Sequence, residues 1–359
     1  MPRHTVARID LENLRHNYRR ASELAGSARA MAVVKADGYG HGLARVAGAL
    51  ADLTERYAVA CLEEAVALRE SGLSHPVLLM EGVHEAEDLK LCEAEGFIVA
   101  VHDQHQLPWL ESSPARPEVW LKVNSGMNRL GFAPADIAAH AMHLRRLGIR
   151  VTGAMTHFAC ADDPASERTL EQTRRFEAAT SGIEGLSLSV ANSSAHFRDG
   201  QPMFEWSRPG IMLYGSSPLL GTQGPDLGLK PVMTLESRLI AVRELAVGEA
   251  VGYGEAWRAT SPTVMGMVCI GYGDGYPRHA GNGTPVRVRG TRVPLIGRVS
   301  MDMLAVDLTE IPGAAAGDPV ELWGPHIGID EVAARAGTIS YELLTGVTGR
   351  VPRLVRPQS

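Results

Sequence analysis

The chain has 359 residues, a net charge of −6 and an ordinary make-up, 45% hydrophobic and 21% charged, which is long for one core and suits two domains. No basic run argues for nucleic acid, and 5% aromatic residues leave little for base stacking. Cys61, Cys92, Cys160 and Cys269 form no CxxC or zinc-type pair; no apolar run nears the roughly 20 residues of a membrane span, and the start MPRHTVARIDLENLRHNYRRA has no apolar signal region, so we expect a cytoplasmic protein with free thiols and no metal.

Short apolar, β-rich runs recur at 31–35, 57–61, 77–80, 97–101, 119–123, 151–157, 186–191 and 211–214. Between them, 11–24, 62–71, 84–95, 134–147 and 166–180 show helical periodicity; Leu62, Ala65, Val66, Leu68 and Arg69 trace the i, i+3, i+4 stripe. Strand then helix, repeated about eight times, predicts an α/β fold with an N-terminal (β/α)8 TIM-like barrel. After Lys230 the texture changes. Residues 229–307 are strand-rich and punctuated by glycine and proline, and only 329–336 reads as plainly helical. This predicts a C-terminal, mostly β domain. The stretch 219–231 is the expected boundary, giving a barrel over 1–229 and a β domain over 230–359, with residues 1–10 free to pack with the second.

Barrel enzymes build their sites at the C-terminal ends of the strands. Lys35 ends the first predicted strand, Arg129 follows the fifth and His157 ends the sixth. Asn192 and Ser193 end the seventh, and Arg208, Pro209 and Gly210 precede the eighth. Each has a plain structural alternative. Lys35 can be a solvated charge, His157 a hydrogen-bonded core histidine, Gly40 and Gly42 turn residues, and Ser193 a helix cap. Their arrival after five different strands argues for a shared site. Asp37 and the glycines crowd the loop after Lys35, which suits close approach. The loops after strands seven and eight of such barrels commonly bind phosphate, and here they offer Ser193 and the backbone N–H groups of Gly210 and Ile211.

The segments AVVKADGYGHG, THFA, RPGIMLYG, VGYGEAW, GYGDGYPR and GRVSMDM stand in an order and spacing that resemble bacterial alanine racemases. The likeness runs from RIDLENLRHN to ISYELLTGVTGRVPR. It implies a pyridoxal phosphate enzyme in which Lys35 holds the coenzyme covalently. Tyr39, Ser193, Gly210, Ile211 and Tyr341 would hold its phosphate, with His157 and Asn192 also around the coenzyme. Arg208 would face the pyridine nitrogen, and Arg129 would lie near the phenolate and the substrate carboxylate. Met301, through its backbone amide, and Asp302 would line the site from the second domain, and Tyr272 would narrow the entrance with Tyr341. Lys122 matches a lysine that is carbamylated in some members, where it orients the arginine. The family often has Asp-Thr at Asn124–Ser125 and Cys at Ser300; both exchanges keep size and most hydrogen bonding.

Racemisation removes a proton from one face of the α-carbon and returns one to the other, so two opposed bases are expected. The resemblance assigns Lys35 to the D-face and Tyr253 to the L-face. Their ordinary values of about 10.4 and 10 must come down for work near neutrality. A chain Tyr253–His157–Arg208 would support the tyrosinate. An always-protonated Arg208 would leave the pyridine nitrogen unprotonated and so disfavour transamination. The resemblance further implies a homodimer in which Tyr253 of one subunit completes the site of the other, acting on L- and D-alanine for peptidoglycan supply or for alanine breakdown. Alternatives are a related racemase of serine or broader range, a decarboxylase of the same architecture, a barrel-only coenzyme carrier, and an unrelated barrel. Residues 230–359 speak against the carrier, and VGYGEAW would be unexplained in the decarboxylase.

Overall fold

The apolar runs of the N-terminal half become short parallel strands buried on both faces, as a sheet covered inside and out requires. In the computed structural model the described residues are 4–356; residues 1–3 and 357–359, the outer ends of the two expected domains, lie outside them. One unit comprises 15–213 and 218–221. Its parallel sheet runs Ala32–Val33, Tyr57–Val59, Val77–Leu79, Phe97–Val101, Glu118–Lys122, Val151–Met155, Ser187–Ser189, each strand paired to the next. The ring continues through Trp206–Ser207. Its neighbour on one side is bonded through the Arg208 N–H to the Ala191 carbonyl, 2.8 Å. On the other side Trp206 and Ser207 pair with Arg29 and Ala30, and Met31 N–H reaches the Ser207 carbonyl at 2.8 Å. Helices such as Leu43–Leu50, Leu62–Glu70, Ile137–Arg146 and Arg168–Thr180 separate the strands.

Two features of the barrel interior follow from side-chain volume. Trp120 is fully buried, and a Cβ on Gly153 of the adjacent strand would sit 2.3 Å from its ring, so only glycine fits there. The Arg56 guanidinium lies 4.4 Å from the Trp206 ring and 5.4 Å from the Trp120 ring, with Arg29 4.1 Å from Trp206, a stack that keeps the cations over aromatic faces.

The reading of 211–214 as the eighth strand is corrected. Ile211–Tyr214 is a 3-10 helical turn, and the eighth strand is the pair Trp206–Ser207. All four residues of the turn are buried, and a short buried apolar run looks the same in either conformation. Arg208, Pro209 and Gly210 therefore follow the last strand rather than precede it, at the same end as the other candidates. The helix expected over 84–95 is shorter, Asp88–Ala94.

The other unit comprises residues 4–14, 214–217 and 222–356 of the described chain. Six strands close into an antiparallel barrel in the order Thr263–Val268, Leu304–Asp307, Thr291–Ile296, Pro285–Val288, Pro319–Trp323, Met233–Leu245, and back to Thr263–Val268. The 13-residue strand Met233–Leu245 pairs with Pro319–Trp323 and Val6–Ile9 along its first half and with Thr263–Val268 along its second, with a register shift between Leu239 and Ala241. Val6–Ile9 and Arg353–Val355 extend the sheet beside it. A second helix, Ser340–Gly346, joins Ile329–Arg335, the one helix read from the sequence. No helix among the described residues is long and apolar enough to cross a membrane.

Candidate active site

Lys35 leaves the first barrel strand into a turn wound against the preference of L-residues. Ala36, Asp37, Gly38 and Tyr39 have φ of 53°, 53°, 60° and 51°. Outside glycine this region costs roughly 1–2 kcal/mol per residue, so neighbours must hold it. Glu64 accepts the Ala36 N–H at 2.5 Å on one carboxylate oxygen and the Ala60 N–H at 2.8 Å on the other. His41, fully buried, directs Nδ1 at the carbonyls of Gly38 and Tyr39, 3.0 and 2.8 Å away. Asp37 Oδ1 accepts the Leu43 N–H at 2.7 Å and so starts the helix Leu43–Leu50. The turn buries Tyr39 and leaves Lys35 half-buried.

The hydroxyl of Ser193, open in the sequence to a capping role, does something else. Its Oγ accepts the N–H groups of Gly210 at 2.8 Å and Met212 at 3.4 Å. Asn192 does the capping: its Oδ1 accepts the Ala195 N–H at 3.1 Å, at the start of Ser194–Phe197. A Cβ on Gly210 would stand 2.4 Å from the Tyr39 hydroxyl oxygen. Two hydroxyls and the backbone N–H groups at the start of Ile211–Tyr214 thus meet at one spot, a donor set that fits a phosphate dianion. If this cradle takes the phosphate of pyridoxal phosphate, as the resemblance implies, Gly210→Ala should weaken its binding by about ten-fold, or about 1.4 kcal/mol. Titration of the coenzyme-free protein would check this; unchanged affinity would remove Gly210 from the cradle.

The same strand ends gather positive charge. Lys122 is buried and donates from Nζ to the Met80 carbonyl at 3.0 Å. Burial, then Arg208 and Arg129, bring its amine down to about 8, against the opposing pull of Glu81. Arg208 is also buried, and burial lowers it to about 10, still cationic at neutrality. Its guanidinium is fixed by donating to Ser189 Oγ and, at 2.5 Å, to the Thr156 carbonyl. Burial first, then Arg208, Arg129, Lys122 and Lys35, hold the His157 imidazole well below its ordinary value, so it is neutral. Asn124 shapes the loop before the exposed Arg129: its Oδ1 accepts N–H groups of Gly126 at 3.2 Å and Asn128 at 3.0 Å. Lys122, Asn124, Arg129, Thr156 and His157 line a narrow cavity. Cations gathered in this way favour an anionic occupant, and the groups of pyridoxal phosphate (phosphate, phenolate, ring nitrogen) fit them.

Beside Ser193, the buried His196 donates from Nδ1 to the Asn192 carbonyl at 2.8 Å. Burial lowers it to about 4. Between that value and its unfolded value near 6.5 only the unfolded chain binds the proton, so stability is present above 6.5 and falls as pH drops toward 4. At pH 5 the loss is about 2 kcal/mol. Urea unfolding at pH 7 and pH 5 should show a drop larger by about that amount in the parent than in His196→Gln. Equal drops would mean that His196 does not carry the effect.

In the β unit, taken by itself, Tyr253 sits in the turn between Ala250–Val251 and Trp257–Arg258 and is 71% exposed. Gly252 and Gly254 beside it have φ of 68° and 69°. Val251 anchors this hairpin in a core with Met265, Ile296 and Ala305. Tyr272 and Met301 are held together by backbone: Tyr272 N–H donates to the Ser300 carbonyl at 3.0 Å and Gly273 N–H to the Met301 carbonyl at 2.9 Å. Gly271 permits this, since a Cβ there would lie 2.2 Å from the Ser300 oxygen. Asp302 follows directly, and Tyr341 lies in the first turn of Ser340–Gly346.

Lys35, Tyr39, Lys122, Arg129, His157, Asn192, Ser193, Arg208, Gly210 and Ile211 thus come from strand ends of one unit, and Tyr253, Tyr272, Met301, Asp302 and Tyr341 from loops and a helix start of the other. Sequence reasoning missed Glu64, His41, Thr156, Ser189 and Gln172. Gln172 donates to the His157 carbonyl at 2.9 Å and accepts the Ala159 N–H at 2.9 Å. Of these, His41, inside GYGHG, and Thr156, inside THFA, carried a signal.

Comparison with known proteins covers nearly the whole chain. Residues 9–218 match the family model described as alanine racemase, N-terminal domain, and 232–355 the model for its C-terminal domain. An alanine racemase of Marinobacter nauticus is 59% identical over 99% of both chains. The biosynthetic alanine racemase of Pseudomonas aeruginosa is 46% identical, with a TM-score of 0.96 over 99% of this chain and 100% of that one. The alanine racemase of Bartonella henselae, solved with covalently bound pyridoxal phosphate, is 28% identical, with a TM-score of 0.89 over 99% of this chain and 100% of that one.

Proposed function

Since the chain belongs to the alanine racemase family, we propose that it interconverts L- and D-alanine with pyridoxal phosphate held covalently by Lys35, and that two subunits share each site. The observation that carries this reading is the meeting of Lys35, the Tyr39–Ser193–Gly210 cradle and a fixed, cationic Arg208 at one end of one barrel.

When bound, the coenzyme supplies the electron sink that makes the α-proton of an amino acid removable. The protein decides what happens to that proton. Lys35 Nζ moves it on the D-face and the Tyr253 hydroxyl on the L-face. Arg208, cationic and locked by Thr156 and Ser189, would face the ring nitrogen and, staying protonated, would not transfer a proton to it. His157, kept neutral by burial and then by its cationic neighbours, would link Tyr253 to Arg208. Arg129 and the Met301 backbone amide bind the substrate carboxylate. Lys122, its amine lowered to about 8 by burial and then by Arg208 and Arg129, matches the lysine carbamylated in some members; a carbamate formed there by addition of carbon dioxide with release of a proton would orient Arg129. Asn192 and Ile211 complete the phosphate loop, Tyr341 reaches the phosphate, and Tyr272 and Asp302 narrow the entrance. Exposure of Tyr253, Tyr272, Met301 and Met303 on the β unit supports their insertion into a partner's barrel.

The test is incubation of the purified protein with L-alanine and L-serine, separately, in deuterated water. We expect deuterium at the α-carbon of alanine together with the D-isomer. Faster labelling and inversion of serine would replace the substrate, and carbon dioxide release without inversion would replace the reaction class.

A further inference from the structure

The turn carrying Tyr272 and the loop carrying Met301 and Asp302 are joined by a residue outside the functional reading. Arg350 donates from Nη2 to Asp302 Oδ1 at 2.7 Å, and its Nε lies 3.5 Å from Asp274 Oδ1. Asp274 is 1% exposed and sits in the turn Tyr272–Asp274, where its Oδ2 accepts the Gly271 N–H at 3.0 Å. A Cβ on Gly273 would lie 2.4 Å from Arg350 Nη1, so the guanidinium rests on that turn. The segment that carries Arg350 is itself fastened there: Thr348 N–H donates to the Asp274 carbonyl at 3.1 Å, and Thr348 Oγ1 to the Gly273 carbonyl at 3.0 Å. The same segment follows directly from the helix Ser340–Gly346 that bears Tyr341. One arginine therefore spans two carboxylates on two loops, beside a third element.

We propose that Arg350 is a positioning residue for substrate capture: it braces the Tyr272 turn and the Met301–Asp302 loop, which backbone hydrogen bonds already join, and offsets one of the two negative charges of Asp274 and Asp302 next to the path of a substrate that carries a carboxylate itself. This rests on the reading in which Tyr272, Met301, Asp302 and Tyr341 border the substrate. Without the guanidinium, the negative charges of Asp274 and Asp302 would repel each other, loosen the contact between the loops, and repel the carboxylate of the incoming amino acid. A lysine keeps the charge but cannot span both partners as a planar fork does.

The test measures steady-state racemisation of L-alanine by the parent holoenzyme, Arg350→Met, Arg350→Lys, Asp302→Asn and the double variant Arg350→Met/Asp302→Asn. Arg350→Met should raise KM by roughly ten-fold or more while kcat changes less than about three-fold. Arg350→Lys should fall between it and the parent. The double variant, with one repelling charge removed, should recover part of the KM lost in Arg350→Met, which a merely structural loss would not do. An Arg350→Met KM within about two-fold of the parent overturns the proposal. So does a fall in kcat alone, or a double variant no better than Arg350→Met. Should Arg350→Met fail to fold, Arg350→Lys decides: a raised KM with kcat kept supports the proposal, and parent-like kinetics overturn it. A parent enzyme inactive on L-alanine would instead overturn the functional reading.

Discussion

Exchanging Lys35 for alanine should lower kcat/KM for alanine by at least about 10⁴-fold, because in the proposed mechanism the same nitrogen anchors the coenzyme and serves one face of the substrate. General base catalysis alone accounts for about 10²–10⁴ of such a loss, and loss of the anchor adds to it. The fold should survive. Lys35 is half-buried, and the contacts that hold the turn come from Glu64, His41 and Asp37, none of which involves its side chain. Chiral product analysis of the purified variant measures the loss, and borohydride reduction of the parent followed by peptide mass mapping locates the attachment. Coenzyme fixed to another lysine, or a Lys35→Ala variant with parental rates, would sink the assignment.

Tyr253→Phe should cost about 10²–10⁴-fold in racemisation, and its effect should be lopsided. With Lys35 intact, exchange of the α-proton of D-alanine with solvent should persist, while exchange from L-alanine should fall with the racemase rate. Stability should change little, since the ring is 71% exposed on a hairpin anchored through Val251. The variant also tests whether sites are shared. Mixed dimers of Lys35→Ala and Tyr253→Phe subunits contain one site with both residues intact if Tyr253 acts across the interface, and none if it acts within its own chain. Activity rising on verified mixing supports sharing. Inert mixed dimers would place both residues of each site in one subunit.

Much of this was legible because the chemistry sits where the hydrophobic pattern breaks. Buried strands read as apolar runs, and Lys35, Lys122, His157 and Ser193 stand where those runs stop. The eighth strand was misplaced because Ile211–Tyr214 is as buried as any strand, so its pattern cannot reveal a turn. Glu64, Gln172 and Arg350 were invisible for another reason. Each acts on groups remote in sequence: Glu64 on Ala36, Gln172 on His157 and Arg350 on Asp302. Nothing in the local composition distinguishes them from the glutamates, glutamines and arginines of a solvated helix or loop. The second helix of the β unit is no shorter than Ile329–Arg335, but it ends in Thr345 and Gly346, poor helix formers, where the other carries Ala333 and Ala334.

The left-handed turn after Lys35 bears on where the information for this site resides. Three non-glycine residues wound that way carry roughly 3–6 kcal/mol of unfavourable conformation. An isolated peptide of this sequence would not hold it. The shape is held by a carboxylate from the helix Leu62–Glu70, a buried imidazole and the end of the neighbouring strand. A stretch that reads as a local signature is thus, in energetic terms, a collective property. The letters are contiguous, but the geometry they name is held by the assembled barrel.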